Sequence, residues 1–312
     1  MKKTAFLFPG QGSQKVGMGE EFYREYDVAR EIFDMTEEIT RINISKLCFK
    51  GPMEDLTMTV NLQPVITAVN LACLAAIEKE YNDYLYCAGH SLGEYSALCA
   101  SGVNSKEDAI RLVFKRGKLM HREATRLRGA MHAIVGLSID EVSELVSEVQ
   151  KEGIVSVANH NTQSQIVITG SPEPVDKVSS LAVARGAKAF PLKVSGAWHS
   201  ELIRGAEEDY KEYLDITSFN CPQKKILFNV TADSSEEPEE IKEIMARQLC
   251  SPVLWYDTMS KLVDENVEVF VEVGSGGVLG GLLRKIIPKD SPIIIYNIGN
   301  MKQLEKFFKE MT

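Results

Sequence analysis

Tyr84-Leu85-Tyr86-Cys87-Ala88-Gly89-His90-Ser91-Leu92-Gly93-Glu94 is the stretch on which the reading of this chain turns. A short apolar run, a G-x-S-x-G pentapeptide and a helix-like segment over residues 94–101 predict a strand, a sharp turn and a helix. A serine at such a turn needs glycine on either side, because the backbone is strained and neighbouring chains pass close; its hydroxyl then stands clear of the sheet edge. Ser91 is the candidate nucleophile. The backbone N–H of Leu92, at the mouth of the following helix, is a candidate oxyanion donor. Taken alone, the pattern also fits a glycine-punctuated turn with an incidental serine.

The remaining composition narrows the class. With 312 residues, 44% hydrophobic and 25% charged, the chain can bury a full core as one large or two modest domains. Pro9-Gly10 ends the N-terminal apolar run too early for a signal peptide, and no stretch reads as a membrane span, so a cytoplasmic protein is expected. Six cysteines without C-x-x-C spacing suit reduced thiols better than disulfides, and no metal site is expected. The net charge of −9 argues against nucleic-acid binding but leaves room for a local basic patch.

Along the chain, residues 4–8 read as a buried strand, followed by the glycine-rich loop Pro9-Gly10-Gln11-Gly12-Ser13-Gln14. Lys15 stands where a dinucleotide fingerprint needs its third glycine, and no Gly-Lys-Ser/Thr follows, so the loop is not read as a nucleotide site. A polar helix is expected near residues 20–26, short helices over 39–56, and a long buried helix over 65–80 opened by Gln63-Pro64. In the helix expected over residues 105–126, Arg111, Lys115, Lys118, Arg122 and Arg126 share one face, whereas Arg116 falls on the apolar face. A buried guanidinium must find an anion. Glu123, Glu272 or a substrate carboxylate would each serve.

Residues 130–194 predict the order βαββαβ, with Asn159-His160-Asn161 as the loop between the two middle strands. That order matches a ferredoxin-like unit (128–196) inserted into a larger α/β domain (1–127 and 197–312), with a cleft between them. Further strands are expected over residues 225–229, 267–273 and 292–296, an acidic connection over 234–240, and a tight glycine turn over 274–277.

Several separated stretches converge on one family. Phe8 to Gln14, Gly89-His90-Ser91-Leu92-Gly93-Glu94-Tyr95, Arg116-Gly117-Lys118-Leu119-Met120, His199-Ser200, and Gln248-Leu249 with Ser251-Pro252-Val253 and Trp255 together resemble the malonyl-CoA:acyl-carrier-protein transacylases along essentially the full length. The resemblance implies an α/β-hydrolase-like large domain with an inserted ferredoxin-like one. It implies Ser91 as acyl acceptor and His199 as the base that takes its proton and returns it to the leaving thiol. The backbone carbonyl of Gln248 would orient His199, with Asn159 helping to order the nearby loop. Gln11 and Leu92 would form the oxyanion hole, and Arg116 would hold the malonyl carboxylate.

No cofactor is implied beyond the two thioester carriers, malonyl-CoA and the phosphopantetheine of an acyl carrier protein. No nucleic-acid or membrane partner is implied, and a monomer is expected. The chain departs from the family at Gly196-Ala197-Trp198, His132, Ser275 and Gly277. An acyl-thioester hydrolase of the same fold is the rival reading, in which water rather than a thiol deacylates Ser91. A noncatalytic carrier-docking module is a third.

Overall fold

In the computed structural model, which describes residues 2–311, nine β-strands form two separate sheets. Five build a parallel sheet: β1 (Thr4–Phe8), β2 (Tyr86–Gly89), β7 (Lys225–Leu227), β8 (Val269–Val273) and β9 (Ile294–Ile298). Their order is β7-β2-β1-β8-β9. Every residue of β1, β2 and β8 is buried, as expected for central parallel strands covered on both faces by helices. Phe8 pairs in register with Gly89, so the loop after β1 and the elbow after β2 leave the sheet side by side. The carboxyl ends of parallel strands are where such sheets open a crevice.

The second sheet is antiparallel and lies wholly between Ala130 and Pro191: β3 (Ala130–Val135), β4 (Val155–Thr162), β5 (Gln165–Gly170) and β6 (Lys188–Pro191), in the order β4-β5-β3-β6. The helices Ile139–Val149 and Pro172–Ala184 pack on it, which completes the βαββαβ order. The fold is thus α/β, with a parallel and a separate antiparallel sheet.

Several expectations need correction. Asn159, His160 and Asn161 are not a loop; they lie within β4, and the hairpin turn falls after Thr162. Their polar side chains read as loop, but the ladder with β5 continues through them, pairing Asn159 with Val167 and His160 with Ile166, and on the other side Asn159 bridges Val253 while His160 N donates to Val253 O. The long buried helix starts at Thr59 rather than Val65, with Pro64 inside it; a proline this near the N-terminus removes only one backbone bond, which packing against the helix Lys106–Arg126 outweighs. That Thr59–Ile77 helix has the length and hydropathy of a membrane span, contrary to expectation, yet 89% of its apolar window is buried inside the fold. A core helix passes the same compositional test.

The helix Asp27–Thr40 was not expected, and the helix Pro238–Arg247 begins inside the supposed acidic connection. The βαββαβ unit read over residues 130–194 also ends earlier, since its last strand stops at Pro191 and residues 192–199 run irregularly toward His199. The glycine turn after β8 does permit close packing, since a Cβ on Gly274 would lie 2.2 Å from Asn70 Oδ1.

Candidate active site

The elbow is built by contact. A Cβ on Gly89 would lie 2.0 Å from the carbonyl carbon of Gly93, and one on Gly93 would lie 1.9 Å from Phe8 O, so neither position admits a side chain without moving backbone. Between them Ser91 holds φ +50, a left-handed conformation that costs a non-glycine residue about 1–2 kcal/mol. Asn229, just after β7, over-determines it: Oδ1 accepts from Ser91 N at 2.6 Å while Nδ2 donates to Gly89 O at 2.7 Å. Sequence reading missed Asn229, which carries no motif of its own.

His199 reaches the serine from the irregular segment after β6. Ser200 closes a local turn by donating to Ala197 O at 2.7 Å and accepting from Leu202 N at 3.2 Å, and His199 itself holds φ +60. Its Nε2 lies 2.8 Å from Ser91 Oγ. Its Nδ1 faces two carbonyls, Gln248 O at 2.9 Å and Ser251 O at 3.0 Å. Two acceptors there place the proton on Nδ1 and leave the Nε2 lone pair for the serine hydroxyl. Burial first, and the Arg116 cation second, push the imidazole down from 6.5 to about 3, so it is neutral at physiological pH, with the Nε2 lone pair free to accept a proton.

Asn159 acts on the loop near His199 rather than on the imidazole. Among the described residues no side-chain hydrogen bond links it to His199. Its strand instead holds the 251–253 segment through the Val253 bridge, and the carbonyl that helps orient His199 belongs to Ser251.

The loop after β1 brings Gln11 to the same place. Ser13 folds it by donating from Oγ and N to Gly10 O, at 2.7 and 3.2 Å, and Gly10 abuts the elbow, where a Cβ would lie 2.5 Å from His90 O. The backbone amides of Gln11 and Leu92 donate to no partner among the described residues. Both residues line one cavity of about 110 Å³ with Ser91, His199, Arg116 and Trp198. A second cavity of about 360 Å³ adjoins it along Gln11, His90, Asn159, Leu192 and Val194, so the crevice runs between the two sheets.

Arg116 is 1% exposed and, among the described residues, pairs with no carboxylate. Glu123 pairs instead with Arg122 and Arg126, and Glu272 accepts from the backbone of Gly277 and Gly280, so neither supplies the counter-ion that sequence reading allowed. The guanidinium donates only to neutral acceptors: Nη1 to Gln63 Oε1 at 3.1 Å, and Nη2 to Gln248 Oε1 at 3.0 Å and Ser91 Oγ at 3.3 Å. Its Nε is buried without a partner. A buried donor left open on a cation beside a nucleophile is a place for an anionic group of a ligand.

Other singled-out residues sort by contact. Trp198 is buried, its Nε1 unpartnered, with its ring against Gly196 and the reactive cavity. Met131 and Ala133 face the cavities, whereas His132 between them turns to the other side of β3 and bonds Ser179 Oγ at 2.8 Å. The basic stripe is largely neutralised: Arg111 pairs with Glu107, Arg122 with Glu123 and Asp209, and Arg126 with Glu123. Lys115 and Lys118 lie over the rings of Tyr213 and Phe114.

Residues 5–294 match the acyl transferase domain family. The malonyl CoA-acyl carrier protein transacylase of Bacillus subtilis (strain 168) is 42% identical over 288 residues, covering 92% of this chain and 91% of that protein. The solved malonyl CoA-acyl carrier protein transacylase of Coxiella burnetii superposes with a TM-score of 0.95 at 31% identity, covering 100% of this chain and 98% of that one. A malonyl-transacylase solved in complex with its type II PKS acyl-carrier protein superposes with a TM-score of 0.94 at 33% identity, covering 99% of each chain.

Proposed function

The chain belongs to the acyl transferase family, and from that membership we propose that it is a malonyl-CoA:acyl-carrier-protein transacylase working by a ping-pong exchange on Ser91. His199 Nε2 takes the Ser91 proton as Oγ attacks the thioester carbonyl of malonyl-CoA. The amides of Gln11 and Leu92 receive the oxyanion. Collapse expels the coenzyme A thiolate, which takes the proton from His199, and leaves a malonyl ester on Ser91. The phosphopantetheine thiol of the carrier protein then repeats the sequence in reverse. Its proton passes to His199 and back to Ser91 as the new thioester leaves.

One observation carries the choice of acyl group: the buried Arg116 guanidinium, which pairs with no carboxylate among the described residues, 3.3 Å from Ser91 Oγ. A malonyl ester places its free carboxylate two carbons from the ester carbonyl, within reach of that cation. A hydrolase of neutral acyl groups has no use for it. The parallel-sheet part, residues 1–127 and 197–312, is an α/β-hydrolase-like domain, and residues 128–196 form a ferredoxin-like one; the strand order and the βαββαβ sequence support this. The exchange involves no net oxidation or reduction, and the Ser91–His199 pair supplies its proton transfers, so it proceeds without a redox cofactor.

Intact mass tests the proposal. Malonyl-CoA is expected to add one malonyl group to the wild type and none to Ser91→Ala, and the label is expected to persist until a holo carrier protein removes it. Release of free malonate without carrier protein would establish the hydrolase instead.

A further inference from the structure

Glu94 is the first side chain of the elbow helix after Gly93, and it is fully buried. Both its oxygens accept: Oε1 from Asn229 N at 2.7 Å, and Oε2 from Gln248 Nε2. A donor at each oxygen, with no acceptor facing either among the described residues, is the pattern that favours the ionised form. Burial opposes that form and raises the group to about 7, while Gln248, Asn229 and Arg116 act in the opposite direction.

The amide of Gln248 stands between the two buried charges. Its Nε2 donates to Glu94 and to Ser91 O at 2.9 Å; its Oε1 accepts from Arg116 Nη2 at 3.0 Å. Turned over, the same amide would set an oxygen against the carboxylate and against Ser91 O, and an NH₂ against the cation. Every one of those contacts would be repulsive, among side chains buried from solvent.

We propose that Glu94 is a positioning residue for acyl selectivity: acting through the Gln248 amide, it holds Arg116 where the free carboxylate of the substrate is bound. Glu94 touches neither the substrate nor the reacting atoms. Its influence on Arg116 passes through a side chain that also braces Ser91, so clamp and nucleophile share one support. The inference rests on the reading of Arg116 as the malonyl clamp.

The test is a double-mutant cycle read as the ratio of kcat/KM for malonyl-CoA to that for acetyl-CoA. In Glu94→Gln the new amide can keep its oxygen on Asn229 N but must present NH₂ to Gln248, which is expected to flip. Gln248→Leu removes the side-chain amide and leaves the backbone carbonyl that holds His199. Each variant is expected to lower the malonyl-to-acetyl ratio roughly 10- to 100-fold, the range for a hydrogen bond to a charged group, and the double variant no further.

An unchanged ratio in Glu94→Gln, or losses that multiply in the double variant, would overturn the proposal, since a merely structural role lowers both substrates alike. If Glu94→Gln does not fold, Glu94→Asp withdraws the carboxylate by one methylene and the same ratio decides. The underlying clamp fails separately: in that case wild type itself shows no preference for malonyl that Arg116→Ala removes.

Discussion

Arg116 Nη2 sits 3.3 Å from Ser91 Oγ, a permanent cation beside the atom that is to be acylated. The same cation is the second cause, after burial, of the depressed basicity of His199. Arg116 therefore does two things that can be separated by experiment: it offers a site for a carboxylate, and it disfavours a second positive charge on the imidazole. Under the proposed clamp, a malonyl carboxylate that neutralised it would make His199 easier to protonate at the stage when it must carry the serine proton.

The first prediction follows from the clamp. Arg116→Ala is expected to cost malonyl transfer about 2–4 kcal/mol, or roughly 30- to 1,000-fold in kcat/KM, the usual loss when one partner of a buried charge pair is truncated. Acetyl transfer, which has no carboxylate to bind, is expected to be unharmed or improved. Equal losses with both thioesters and a lower Tm would show that Arg116 only supports the fold.

For His199 the expected variant effect is a loss of roughly 10²- to 10⁴-fold in acylation for His199→Ala. Its protonation can be followed directly by the nitrogen chemical shifts of the ring. Between about pH 8 and 5 they are expected to stay those of a neutral imidazole protonated on Nδ1, because the folded group titrates near 3. The folded state then binds fewer protons than the unfolded chain between 6.5 and about 3. The His199 contribution to stability is fully present above the unfolded value and is lost as the pH falls through that window. An inflection near 6.5 in the folded protein would contradict this.

Trp198 gives a prediction about branched acyl groups. Its indole lines the reactive cavity beside Met131, Leu192 and Val194, and a Cβ at Gly196 would lie 2.7 Å from the ring, so the ring has little freedom to withdraw. Preference for malonyl over methylmalonyl is expected within about 10- to 200-fold, the worth of one methyl against an apolar wall. Trp198→Ser is expected to shrink that preference. An unchanged ratio in a folded variant would reduce Trp198 to packing.

The strand, turn and helix around Ser91 were legible because each requirement is local: glycines two residues either side, an apolar run before and a helix after. The βαββαβ order was legible for the same reason, since hydrophobic period and turn residues are written in neighbouring positions. Strand ends were less so. Asn159 to Asn161 look like loop residues, but they continue the antiparallel ladder with β5, and Asn159 also bridges Val253 far along the chain.

The sequence by itself determined the elbow and the element order and, through motif resemblance, named Ser91, His199, Gln11, Leu92, Arg116 and Gln248, which the fold brings together at one crevice. Tertiary structure alone decided their electrical setting. It withheld Glu123 and Glu272 from Arg116, neutralised much of the basic stripe with Glu107, Asp209 and Glu123, and set Asn229, Ser251 and Glu94 around the elbow. The reason is physical: a charge or a hydrogen-bond donor takes its partner from whatever the packed chain brings within about 3 Å, and here those partners stand up to 157 residues apart in sequence.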